Sequence, residues 1–133
     1  MPKFSQKSLE QLATCDKRLQ DVFNEVIKYV DCTVLEGHRG QELQDRYFRE
    51  GTSKKQWPHG EHNKLPSCAV DVMLYPIDWT KEGLTKQCHF AGFVLGIATK
   101  MGVPLTWGGD WDNDFNLKEH TLFDTPHFQL KEN

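Results

Sequence analysis

The sequence predicts an α+β fold, a small antiparallel sheet with helices packed on it, and three observations carry that prediction. Long stretches show helical periodicity, short β-branched and apolar runs lie between them, and no internal repeat, linker or low-complexity segment interrupts the chain. The length of 133 residues suits a single domain, residues 1–133, with one hydrophobic core and one site.

The first helical region is marked by Leu9, Leu12, Leu19, Val22, Phe23, Val26, Ile27 and Val30, with Ser8 and Gln11 reading as a capping box and a break near Thr14 to Asp16. Cys32-Thr33-Val34-Leu35 is short, apolar and β-branched, so it reads as a strand that Gly37 ends. A second helix is expected from about Gln41 to Glu50, closed by Gly51. The following residues, GTSKKQWPHGEHNKLP at 51–66, are polar and hold two prolines and two glycines, which makes them a long surface loop. Loops of that length in small domains are often functional.

Ser67 to Leu74 reads as a strand with Cys68, Val70, Val72 and Leu74 on one face and Ala69, Asp71 and Met73 on the other. Asp71 therefore points away from the most apolar face, towards a cleft that the preceding loop can reach. Pro76 and Asp78 make a turn, and Phe90, Phe93, Val94, Ile97, Ala98 and Met101 mark a helix from about Thr85 to Met101, stopped by Gly102. Leu105 to Trp107 is a strand, GGDWDNDFN a tight polar loop, and His127 to Leu130 the final strand.

Composition excludes several classes of function. With 16 basic against 19 acidic residues there is no footprint for nucleic acid or for an anionic membrane surface. The first twenty residues contain no apolar signal region, and no stretch approaches the roughly 18 apolar residues of a membrane span. The expectation is a soluble monomer made in the cytoplasm without a signal peptide. Cys15, Cys32, Cys68 and Cys88 are scattered without a CxxC pair, as reduced structural thiols are.

The chemistry concentrates in a split cluster of metal-type ligands: His62 and Asp71 in mid-chain, Asp124 and His127 near the end. Two imidazoles and one carboxylate make a metal site with a vacant position, and a spare carboxylate beside it points to hydrolysis rather than storage. Zinc accepts these donors and lowers the pKa of a bound water to roughly 7. A neighbouring carboxylate can then take the water's proton and pass it to a leaving amine. Asp124 stands three residues before His127, and Thr125-Pro126 can bend the chain so that both face one metal, whereas a straight strand would send them to opposite faces. Taken singly, a histidine or a DxxH pair is more often structural, and His59 competes with His62 as the loop ligand.

Two further features are open to more than one reading. The alternating Asp110, Asp112 and Asp114 in the loop that runs to Asn116 could gather Ca2+ or form a solvated acidic turn, and they lack the central glycine and terminal glutamate of an EF-hand. Trp57, Trp79, Trp107 and Trp111 could line a peptide or sugar groove or lie in the core.

Four pieces fall in order along the chain: EGHRGQELQ at 36–44, WPHGEHNKLPSCAVDVMLYPIDW at 57–79, WGGDWDNDF at 107–115 and FDTPHFQL at 123–130. Together, from Glu36 to Leu130, they resemble the M15 zinc peptidases, the D-alanyl-D-alanine carboxypeptidases and L-alanyl-D-glutamate endopeptidases that include many phage endolysins. The second and fourth pieces are the specific ones. The resemblance implies His62, Asp71 and His127 as Zn2+ ligands in a cleft over the sheet, with Asp124 as the catalytic general base. It implies Arg39 as the group that binds substrate or stabilises an oxyanion, a task suited to a guanidinium fork, with Gln44 supporting the same wall. The family pattern SxHxxGxAxD is altered here. Gly60 stands for its serine, Ser67 for its glycine, and two extra residues follow His62 in a longer form that resembles the phage-endolysin variant.

By the same resemblance the substrate is the peptidoglycan stem peptide, cut between L-alanine and D-glutamate by a lysin that accumulates in host cytoplasm and acts on the cell wall after release. A D,D-carboxypeptidase or dipeptidase acting on D-Ala-D-Ala is the enzymatic alternative. A catalytically inactive, metal-bearing wall-peptide binding module is the alternative from another class, and retention of Asp124 argues against it.

Overall fold

A computed structural model describes residues 2–115 and 124–131. Asn116 of the acidic loop and Phe123 of the last motif lie outside the described residues. The elements run α1 (Gln6–Leu12), α2 (Lys17–Val26), β1 (Cys32–Glu36), α3 (Gln41–Arg49), a 3-10 turn (Glu61–Asn63), β2 (Ala69–Leu74), α4 (Lys81–Lys100), β3 (Leu105–Trp107) and β4 (His127–Leu130). The fold class is α+β as expected, and the four strands form one antiparallel sheet in the order β1-β2-β4-β3.

The break in the first helical region separates α1 from α2. Asp16 caps α2 by accepting the Arg18 N–H, while its own N–H goes to Ser67 O, so the break also ties the helices to the segment before β2. The expected capping box does not form. Ser5 caps α1 by accepting the Ser8 N–H, and Ser8 and Gln11 reach out of the helix instead. Ser8 Oγ accepts the Val34 N–H and Gln11 Oε1 the Gly37 N–H, so both polar side chains serve β1 rather than their own helix. Helix α4 starts earlier than periodicity indicated, because Thr80 caps it by accepting the Gly83 N–H.

Strand pairing sorts the side chains by face. Val70 is opposite Phe128, and Val34 is opposite Val72. These join Leu19, Val22, Phe23 and Val26 of α2 and Phe90, Ala91, Val94 and Ala98 of α4 in the hydrophobic core. Phe128 is its keystone, fully buried and edge-on to Phe23 and Phe90 with ring centroids 5.4 Å and 6.5 Å away. Truncating such a residue to alanine removes about 3–5 kcal/mol. The opposite face carries the intervening positions, Asp71 of β2 and His127 and Gln129 of β4.

At the edge, the β1–β2 register slips between Val34 and Glu36, so that Glu36 rather than Leu35 stands opposite Asp71. A bulge of this kind re-aims a side chain, and here it delivers a carboxylate to the polar face.

Candidate metal centre

Asp71 and His127 reach the polar face as a cross-strand pair, and the 3-10 turn brings His62 over them. Asp71 Oδ1 lies 3.1 Å from His62 Nε2 and 3.2 Å from His127 Nδ1. The two imidazole rings meet edge-on at 5.1 Å, and one donor atom from each of the three residues lies within 4.8 Å of the others. The remaining ring nitrogens have partners of their own: His62 Nδ1 faces Gly37 O at 2.7 Å and His127 Nε2 faces Gln129 Oε1 at 2.7 Å. With those nitrogens bearing the protons, the lone pairs of His62 Nε2 and His127 Nδ1 are directed at the shared space beside Asp71. Nitrogen, nitrogen and carboxylate oxygen in this arrangement could hold a metal ion. His59 stays exposed on the loop, outside the group.

Asp124 sits beside this cluster, with Oδ2 3.9 Å from His127 Nδ1 and its side chain 38% exposed. The bend expected at Thr125-Pro126 is present: His127 N–H returns to Asp124 O and Val72 N–H bonds Pro126 O. Arg39 donates its backbone N–H to His62 O, which holds the wall next to the turn. Its guanidinium pairs with Glu36, donates to Gln44 Oε1 at 3.0 Å and stacks over the Tyr47 ring at 4.7 Å. Gln44 is fully buried and also accepts from Asn63 Nδ2, so α3 and the His62 turn share one network. Arg39, His62, Asp71, Asp124, His127 and Trp111 all line one open cleft of about 1440 Å³.

The sequence profile of a family described as phage L-alanyl-D-glutamate peptidase matches residues 1–131. The chain belongs to this family. It is a peptidase and a peptidoglycan hydrolase. Among solved structures, the peptidase is similar to the L-Ala D-Glu endopeptidase ChiX of Serratia marcescens, with 28% identity and a TM-score of 0.75 over 97% of this chain and 90% of that one. No curated protein matches the chain significantly by sequence.

Electrostatics in the peptidase set the carboxylates apart. Burial works to raise the Asp71 carboxyl, but the adjoining His62 and His127 imidazoles outweigh it and hold the group well below the ordinary carboxylate range. For His127, burial favours the neutral ring, and the Asp71 carboxylate more than reverses it, so the imidazole is raised. Asp124 is raised by burial and by the negative charge of Asp71, against the pull of His127, His62 and Arg39. A carboxyl with a raised pKa is the better proton acceptor of the two.

Three supports of the peptidase site escaped sequence reading. Gln87 on α4 is fully buried; its amide donates to Val72 O and Thr125 O while its oxygen accepts the Leu74 N–H. Trp107 Nε1 donates to the same Thr125 O at 2.7 Å, so two side chains fix the turn between Asp124 and His127. Gly108 exchanges backbone hydrogen bonds with His127 and Asp124, and a Cβ there would meet Asp124 O at 2.2 Å. Gln87 stands in no motif, and the WGGDWDNDF piece that holds Trp107 and Gly108 does not say that they reach Thr125 and Asp124, although the Gly108-Gly109 pair is the mark a close backbone approach leaves.

The tryptophans divide between the two earlier readings. Trp107 is buried in the core, whereas Trp79 and Trp111 line the cleft, Trp111 with its ring 5.4 Å from that of His127. Asp110, Asp112 and Asp114 do bring one carboxylate oxygen each within 4.8 Å. The Asp110 oxygens accept the Asp114 and Phe115 N–H groups, which organises the turn from within.

Proposed function

We propose that residues 1–133 act as one zinc-dependent catalytic domain that cleaves the L-alanyl-D-glutamate bond of the peptidoglycan stem peptide. In this reading His62 Nε2, Asp71 Oδ1 and His127 Nδ1 hold Zn2+, and the observation that carries it is the convergence of those three atoms with Asp124 alongside. Zinc bound there supplies a Lewis acid and a water acidified to roughly pKa 7.

The remaining work falls to the protein. Asp124, raised by burial and by Asp71, takes the proton of the attacking water and returns it to the amine of D-glutamate as the peptide bond breaks. Arg39, oriented by Glu36, Gln44 and Tyr47, meets the negative charge that grows on the carbonyl oxygen or the substrate's carboxylate. Trp111 and Trp79 flank the peptide in the cleft. Calcium has no part in this reading, since the Asp110 carboxylate already serves its own turn. Among the described residues no helix is long and apolar enough to cross a membrane. The lysin reading has the protein released as a monomer to act on the wall.

The test is release of new amino groups from purified peptidoglycan by the protein as isolated, after chelation and after zinc is restored, with fragments identified by mass. Loss and recovery of cleavage that leaves free D-glutamate amino termini is the expected result. Release of single D-alanine would replace this reading with the carboxypeptidase, and tight zinc without any cleavage would replace it with the binding module.

A further inference from the structure

The two imidazoles of the centre are oriented by different kinds of group. His62 Nδ1 faces a backbone carbonyl, Gly37 O, whereas His127 Nε2 faces a side chain, Gln129 Oε1, at the same 2.7 Å. Strand alternation explains the second contact: positions 127 and 129 of β4 lie on one face, and Gln129 stands between Ala69 of β2 and Thr106 of β3.

We propose that Gln129 is a positioning residue for metal binding, acting by holding His127 as the Nε2–H tautomer with Nδ1 turned towards Asp71 and His62. The proposal rests on the metal reading above. A neutral imidazole carries one N–H. With the proton on Nε2, the ring donates to Gln129 Oε1 and presents the Nδ1 lone pair to the space beside Asp71 Oδ1. With the proton on Nδ1, the Gln129 amide would have to turn over and donate from Nε2 instead of accepting at Oε1, and an N–H would fill the position of a ligand atom. With Oε1 turned to the ring, as it stands here, residue 129 favours the tautomer that leaves Nδ1 free. An outer partner of this kind is worth about 10–100-fold in metal affinity.

Three substitutions separate the possibilities. Gln129→Glu keeps an acceptor, Gln129→Met keeps the length without one, and Gln129→Lys offers only donors. The readout is zinc affinity by chelator competition, together with the visible absorption spectrum of the cobalt-substituted protein, and the fold of each metal-free variant is followed by circular dichroism. We expect Gln129→Met to weaken zinc about 10–100-fold and to alter the cobalt spectrum, Gln129→Lys to weaken it further, and Gln129→Glu to restore wild-type affinity. Equal zinc affinity and an unchanged spectrum in Gln129→Met would overturn the proposal, as would a change confined to KM, which a residue merely lining the cleft produces. Should the methionine variant fail to fold, two-bond proton–nitrogen correlation on the metal-free wild type, at a pH where His127 has lost its second proton, decides. A proton on His127 Nε2 supports the proposal, and one on Nδ1 overturns it. A wild-type protein that binds no zinc would instead remove the metal reading itself.

Discussion

Asp71 and His127 are direct partners across the β2–β4 ladder, and the same pairing that puts Asp71 Oδ1 3.2 Å from His127 Nδ1 puts Val70 opposite Phe128 in the core. Site and core are therefore set by one register. A slip of one residue would turn the aspartate and the histidine into the hydrophobic core and the two hydrophobes towards the cleft, so packing enforces the geometry of the centre.

If zinc binds the folded chain alone, it stabilises by mass action, by about 2.7 kcal/mol at a hundredfold excess over the dissociation constant. For a chain of this size that is a rise of roughly 10 °C in Tm. Thermal melts of the peptidase with and without chelator should show it, and Asp71→Ala should abolish the zinc-dependent part of the shift.

Asp124 sits beside the three donor atoms rather than among them. Asp124→Asn should therefore leave zinc content unchanged while kcat falls about 10²–10⁴-fold, the range for a lost general base. Zinc stoichiometry measured beside turnover checks it; full activity in this variant would refute the assigned role.

The pH dependence of the metal-free peptidase follows from two opposite shifts. Asp71 is depressed below its ordinary 3.8, so its contribution to stability is present above that value and is lost as pH falls through the folded-state pKa. His127 is raised above its ordinary 6.5, so its contribution is complete below 6.5 and is lost as pH rises through the folded-state pKa. Asp124, raised from 3.8, opposes Asp71, because its protonated form is the one the fold favours. Denaturant midpoints of chelated protein should be highest on the acid side of neutrality and decline above it. Zinc should add more stability as pH rises, because the metal replaces the proton on His127.

Gly108→Ala should displace Asp124, since the new Cβ would meet the Asp124 backbone oxygen at 2.2 Å with no flexible side chain to yield. We expect turnover to fall more than zinc affinity, measured on the same preparation. Gly40→Ala, with open space around its Cβ, serves as the control.

The parts of this fold that were legible in the sequence are those written locally. Alternation in β2 was enough to turn Asp71 away from the core, and glycine and proline punctuation located the strands. Errors arose where a polar residue answers to something distant in the chain. Ser8 and Gln11 have the spacing of a capping box, yet they bond to β1, and the bulge that brings Glu36 opposite Asp71 has no local signature. For the site, the Thr125-Pro126 bend between Asp124 and His127 was readable because it spans three residues. The clamp that Gln87 and Trp107 place on Thr125 O was not, because it depends on how α4 and β3 meet a turn far along the sequence.

Gly37 has a longer reach than its size implies. Its N–H goes to Gln11 Oε1, its carbonyl faces His62 Nδ1, and a Cβ on it would strike Gln11 O at 2.3 Å. Through that one peptide the opening helix becomes a buttress of the loop histidine, although α1 contributes no residue to the cleft. Anyone grafting this catalytic unit onto a foreign wall-binding module would find that the motif-bearing stretch from Glu36 onward is not a portable cassette. The splice point has to lie upstream of Ser5, the cap of α1, so that the helix travels with the histidine it steadies.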